Sequence, residues 1–207
     1  VMQSIIMKGG SIRPRVAFIK AIASSITIGT GGSVGREGPI VQIGASLGST
    51  IGQFFRVSTQ RMKTFVACGA AAGIAAAFNA PIAGALFAVE IILGDFGFTQ
   101  FSPIVIASVM ATVVSHQFEG NFAAFQVPTY QLKSPYELIF YLVLAFLCAG
   151  VAYMFIKSLY WSEDFFEDRV KIPEYLQPAI GGIFIGAMAL MFPQVMGVGY
   201  DSINNAL

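Results

Sequence analysis

The hydrophobic positions of this chain fall into long runs, and several of the runs are cut by glycine or proline. Residues 16–34 are apolar with Gly and Ser toward the end, and residues 40–55 are apolar again. Between the two lies Gly29-Thr30-Gly31-Gly32-Ser33-Val34-Gly35-Arg36-Glu37-Gly38-Pro39, which holds five glycines and one Arg-Glu pair. A helix restarting at Gly38-Pro39 is expected, because a proline in the first turn gives up an N–H that has no intrahelical acceptor anyway. Residues 64–92 form a second interrupted pair. Here Phe78-Asn79-Ala80-Pro81 makes the cut, since the residue before proline disfavours the helical region and the proline can open a new helix over 81–93. Further on, residues 102–118 predict one crossing, 135–168 one long helix, and 173–192 a last crossing. The turn-rich stretch Met196-Gly197-Val198-Gly199-Tyr200-Asp201 is read as an exit.

Composition says what solvent these runs face. Of 207 residues 56% are hydrophobic and only 11% charged, with a mean hydropathy of +0.72, against roughly a quarter charged in soluble domains. The chain reads as an integral, multi-pass membrane protein, all-α, built from broken and re-entrant helices. Irregular backbone at membrane depth is tolerated only where protein or a cavity surrounds it, so the break at 29–39 needs a reason, and a ligand is one. The 135–168 helix would be about 50 Å long, more than the ~30 Å hydrocarbon core, so it must tilt or project.

Charge is positional rather than net. Twelve Lys and Arg against eleven Asp and Glu leave +1, which excludes a general electrostatic case for nucleic acid. Lys8, Arg13, Arg15 and Lys20 precede the first broken pair, while Arg56, Arg61 and Lys63 follow it. If both clusters lie on the cytoplasmic side, the segment between them enters and returns, a hairpin with its broken tip inside the membrane. No Lys or Arg then occurs until Lys133, and Arg169 and Lys171 return the chain to the first side; the polar stretch 119–134, with Pro128, is the far loop.

Several residues carry plainer readings. Gly44, Gly48 and Gly52, with Ala45 and Ser49 beside them, make a close-approach face for neighbouring helices, as do Gly182 and Gly186, and the small-sided run 68–77 belongs inside a bundle. Cys68 and Cys148 match no metal-ligand spacing and are read as buried small hydrophobes. His116, the only histidine, has no second ligand residue near it in sequence and is read as interfacial. Glu163, Asp164, Glu167 and Asp168 read as a solvated helix face. Glu90, the only carboxylate between Glu37 and Asp95, has two readings: an interfacial or hydrogen-bonded structural acid, or part of a proton pathway. No metal site, cofactor or enzymatic constellation is expected.

The break itself resembles soluble phosphate loops and differs from them. The Walker pattern ends Gly-Lys-Ser/Thr where this one ends Gly-Pro; the dinucleotide pattern needs a strand before it and an acid about 20 residues on, where only Ser58-Thr59-Gln60 stands. A helix N-terminus does, however, offer bare amides and a positive dipole end to an anion. A carboxylate tethered there, Glu37, occupies the place the anion would take. Gly35 and Gly38 allow close approach of the backbone, and the amides around 38–41 (Gly38, Ile40, Val41; Pro39 has none) are the expected donors. Arg36 either raises the local anion concentration or serves as a structural ion-pair partner.

Gly35-Arg36-Glu37-Gly38-Pro39, continued as Ile40-Val41-Gln42-Ile43-Gly44, resembles the signature segment of the CLC family of chloride channels and chloride/proton antiporters. Ala76-Ala77-Phe78-Asn79-Ala80-Pro81-Ile82-Ala83-Gly84 through Glu90, and Gly197-Val198-Gly199-Tyr200, match in the same order. The resemblance implies an inverted-repeat bundle with half-helices meeting at mid-membrane, homodimers with one pore per subunit, chloride as the ligand, and Glu37 as the gating glutamate. Residues 35–41 (Gly35, Arg36, Gly38, Pro39, Ile40 and Val41) would be the anion-binding wall. By the same resemblance Ile91 stands where the transporters carry a proton-accepting glutamate, Glu90 being the residue before it, which favours channel-like or weakly coupled conduction over exchange; a non-transporting membrane scaffold is the remaining alternative. The chain starts at Val1 without a leader, and residues 1–207 are expected to be a partial transmembrane domain, with the family's serine filter segment before Val1 and its later Phe and Tyr filter residues beyond Leu207.

Overall fold

All regular structure among the described residues is helical. The computed structural model describes residues 1–94, 97–122, 124–125, 127, 134–168, 173 and 176–206; Asp95, Pro128, Lys133, Arg169, Lys171 and Leu207 lie outside them. The helices are α1 (Met2–Lys8), α2 (Arg15–Gly29), α3 (Glu37–Phe54), α4 (Thr59–Phe78), α5 (Pro81–Phe87), α6 (Phe98–Glu119), α7 (Glu137–Asp168), α8 (Gln177–Met191) and α9 (Tyr200–Ala206). A π-helical turn, Ala88–Leu93, continues α5. The chain forms two compact units, Val1–Gln126 with Gln194–Leu207, and Val127–Pro193.

The first unit is built on α4. Its alanine face, Ala67, Ala70, Ala71 and Ala75, is fully buried between α3, α5 and α6. Helices with such short side chains gain little from hydrophobic burial in lipid, so they associate by close backbone packing. The glycine face of α3 supplies it: a Cβ on Gly44 or Gly48 would collide with the carbonyl oxygens of Gly69 and Phe65, and one on Gly69 with that of Gly44. On the other flank, a Cβ on Gly84 of α5 would sit 2.7 Å from the Ala71 carbonyl oxygen.

The hairpin expected around the break is present. Helix α2 packs on α3, and the stretch leading into α2 is pinned to the C-terminal half of α3 by buried hydroxyls. Ser49 Oγ donates to the Gly10 carbonyl at 2.8 Å and accepts the Ile12 amide at 2.9 Å, Gln53 Nε2 donates to the Ile12 carbonyl at 2.7 Å, and Ser46 Oγ to that of Arg13 at 3.3 Å. The two basic clusters therefore share one end of the hairpin and the glycine break the other.

In the second unit α7 runs 32 residues, about 48 Å, and the apolar window of its span has none of its residues buried within the chain. Cys148 is exposed on it among the described residues, not buried as expected; Cys68 is half-buried. A Cβ on Gly182 or Gly186 of α8 would meet nothing within 4 Å among the described residues.

Replacing Gly69 by valine should force α3 and α4 apart and lower stability by about 3 kcal/mol or more, since the obstructing atoms are backbone and cannot rotate away. Denaturation of the full-length protein in detergent, followed by circular dichroism, measures it.

Candidate functional site

Three interrupted pieces of backbone meet at one end of α4. The first is the C-terminus of α4, where the last carbonyls have no acceptor role left within the helix. Asn79 ends the helix in the left-handed conformation, φ 53° and ψ 41°, which asparagine tolerates better than most side chains. Three of these carbonyls find donors from outside the helix. Ala75 O accepts Thr112 Oγ1 at 3.3 Å and the Ala80 amide at 3.2 Å, Ala76 O accepts Ser115 Oγ at 3.1 Å, and Ala77 O accepts Arg36 Nη2 at 3.1 Å. The carbonyl of Pro81, opening α5, accepts Ser108 Oγ. The helix end is thus closed by one polar face of α6 and by one arginine.

The Asn79 side chain closes the same turn from outside. Its Nδ2 donates to Asn121 Oδ1 at 2.8 Å and to the Phe122 carbonyl at 3.3 Å, and its Oδ1 lies 2.6 Å from His116 Nε2. His116 is half-buried against Asn79, because α6 packs along α4 and carries its last turn to the α4 terminus.

The second piece is the glycine break. Helix α2 stops at Gly29, Gly31 takes φ 90°, and α3 begins at Glu37 with Arg36 as its N-cap. Pro39 sits in the first turn as expected. The donors there are narrower than 38–41: Ile40 N–H is spent on the Arg36 carbonyl at 3.1 Å, Val41 is buried within the helix, and Pro39 has no N–H. By helix geometry this leaves the amides of Glu37 and Gly38 as the exposed donors of the tip. The Glu37 carboxylate curls back toward Gly35, where a Cβ would meet its Oε2. Gly38 faces open space.

The third piece was not singled out as functional from sequence. The exit segment docks on the break: the Gly197 amide donates to the Gly31 carbonyl at 3.4 Å, and Met196 fills the space a Cβ on Gly31 would need. Gly197 and Gly199, at φ 74° and 78°, turn the chain so that Tyr200 opens α9 beside Glu37. Tyr200 Oη donates to Glu37 Oε1 at 3.0 Å. Arg36 Nε donates to the same phenol oxygen at 3.3 Å, and the guanidinium lies 4.6 Å from the Tyr200 ring centroid and 5.2 Å from that of Phe78. Phe78 and Phe125 pack on Tyr200 with centroids at 6.4 and 5.1 Å. Among the described residues Arg36 contacts a helix C-terminus, a phenol and two rings. A cation at the negative end of α4 is favourable in its own right.

Glu90 does not join this cluster. It lies in the π-turn, exposed, nine residues after Pro81 and so about 13 Å further along the helix axis. Ile91 beside it is 44% exposed. Among the described residues no group of three or more His, Cys, Asp or Glu side chains could hold a metal ion.

These features define an integral membrane protein in which half-helices and a re-entrant break converge on one polar site. The model of the voltage-gated chloride channel family matches residues 1–207, and the chain belongs to that family, the CLC family. It is 36% identical over 210 residues to a ClcB-like chloride channel protein of Ralstonia nicotianae, covering 100% of this chain and 49% of that protein. It is 38% identical over 197 residues to the chloride channel protein CLC-f of Arabidopsis thaliana, covering 91% of this chain and 25% of that one. The fold matches a crystal structure of a slow cyanobacterial chloride/proton antiporter with a TM-score of 0.77 at 26% identity, over 90% of this chain and 44% of the other. The chain therefore spans about half the length of the Ralstonia protein and of the antiporter, and the CLC-type bundle is incomplete in it.

Asn79→Ala should cost about 1–2 kcal/mol from the left-handed backbone alone, plus the His116 and Asn121 hydrogen bonds; Asn79→Gly should lose only the hydrogen bonds. Thermal unfolding of the two variants in detergent, compared with the parent, separates the contributions.

Proposed function

We propose that the full-length protein carries chloride across a membrane, as a homodimer with one pathway per subunit, and that Glu37 gates that pathway by competing with the anion at the α3 tip. The observation that carries this reading is the placement of the Glu37 carboxylate against Gly35 at the N-terminal end of α3, where the amides of Glu37 and Gly38 have no acceptor within the helix. Those donors favour whichever negative group sits there, carboxylate or halide, and two negative groups cannot share the place. Protonating Glu37, or displacing it, frees the seat. Of Gly35, Arg36, Gly38, Pro39, Ile40 and Val41, Gly35 gives the carboxylate room, Gly38 leaves the tip open and Arg36 holds the helix end, while Pro39, Ile40 and Val41 build the first turns of α3 behind them. The lipid bilayer is the medium, and chloride the only ligand required.

Channel-like or weakly coupled conduction is the favoured form, because Ile91 cannot take a proton at the position where transporters of the family carry a glutamate. Chloride/proton exchange is the second reading, supported by the likeness to a chloride/proton antiporter; Glu90 would then be the acid nearest to a proton route. Both are measured together in liposomes holding the full-length protein, with chloride efflux followed by electrode and proton uptake by an entrapped dye. Expected are chloride efflux that rises as pH falls, little or no chloride-driven proton uptake, and loss of the pH response in Glu37→Gln. Efflux with an unaltered pH response in Glu37→Gln would remove Glu37 from its role, stoichiometric proton uptake would favour exchange, and no flux at all would leave a membrane scaffold.

A further inference from the structure

We propose that Tyr200 is a latch on the gate: its hydroxyl holds the Glu37 carboxylate on the α3 tip, and Arg36 braces it there. The inference rests on the reading of Glu37 as the gate. Its own grounds are the contacts of the phenol. Tyr200 Oη stands between a donor and an acceptor, taking Arg36 Nε–H at 3.3 Å and giving its own hydrogen to Glu37 Oε1 at 3.0 Å. A phenol that accepts from a cation becomes a stronger donor, so the two bonds reinforce each other. A hydrogen bond to an ionised carboxylate is among the stronger ones available to a side chain.

The phenol is itself well held. Phe78 and Phe125 pack against its ring, and the Arg36 guanidinium lies 4.6 Å from the ring centroid. The exit segment carrying it is tied to the break at Gly31, and Gly197 and Gly199 supply the two positive-φ turns that bring residue 200 to Glu37. The latched carboxylate also lies against Gly35, at the N-terminal end of its own helix, where the proposed seat of the anion is. Tyr200 therefore stabilises the occupied, closed seat. It is a positioning residue: it acts on the anion only through Glu37.

Chloride must displace the latched carboxylate, so releasing the latch should lower the chloride concentration at which flux is half-maximal and leave the maximal flux nearly unchanged. The size expected for one charge-assisted hydrogen bond is about 10-fold. The test is chloride flux against chloride concentration for the full-length protein in liposomes, with the parent, Tyr200→Phe, Glu37→Ala, and the double variant. Phenylalanine keeps the ring contacts with Phe78 and Phe125. Tyr200→Phe should shift the half-saturating concentration down on the parent background and do nothing on Glu37→Ala. A difluorotyrosine at position 200, whose phenol donates more strongly, should shift it up, and gives an independent reading should Tyr200→Phe not fold. An unmoved half-saturation in both substitutions, or an equal shift of Tyr200→Phe on the Glu37→Ala background, would overturn the latch. A flux curve unaltered by Glu37→Ala alone would instead remove the gate on which the latch acts.

Discussion

What the first unit depends on is the obligation to satisfy backbone groups wherever a helix stops short. In lipid each unpaired carbonyl or amide costs several kcal/mol. Helix α4 ends at Asn79 with three consecutive carbonyls, those of Ala75, Ala76 and Ala77, facing outward, and each has a specific donor: Thr112, Ser115 and Arg36. Two of these donors fix α6, and the third fixes the N-terminus of α3. The start of one half-helix is thereby bolted to the end of another, with their opposite dipole ends joined through a guanidinium.

Packing follows from the same economy. Because α3, α4 and α5 approach at glycine and alanine, the carbonyls of Gly44, Phe65, Gly69 and Ala71 lie against the glycines of the facing helices. The small residues thus set how near the helices come, while the hydroxyls of Ser46, Ser49, Ser108, Thr112 and Ser115 set where each one stops. None of these serines or threonines needs solvent, since each donates to a backbone carbonyl.

Much of this was legible in the residues. The interruption at 29–39, its return as a hairpin, the cut at Asn79 and the glycine face of α3 all follow from local rules about glycine, proline and small side chains, which act over a few positions. What was not legible is what converges from far away. Tyr200 reaches Glu37 across a separation of 163 residues, and Arg36 reaches it across 164; no periodicity or spacing encodes such a meeting, although the paired glycines at 197 and 199 marked a turn. The same limit explains His116, whose partner Asn79 lies 37 residues away on another helix. It also explains Gly182, Gly186 and Cys148: small residues announce that something fits closely, and say nothing of whether that partner lies in the same stretch of chain.

The π-helical turn at Ala88–Leu93 has a geometrical sequel. Its hydrogen bonds reach one residue further than those of an α-helix, so each residue within it advances through a smaller angle about the axis. The azimuth of a side chain there is set by the widened winding as much as by its place in the sequence. Glu90 and Ile91 therefore do not point where a straight count from Pro81 would put them, and a single-residue deletion inside this turn would swing both around the axis while leaving every neighbouring letter of the chain unchanged.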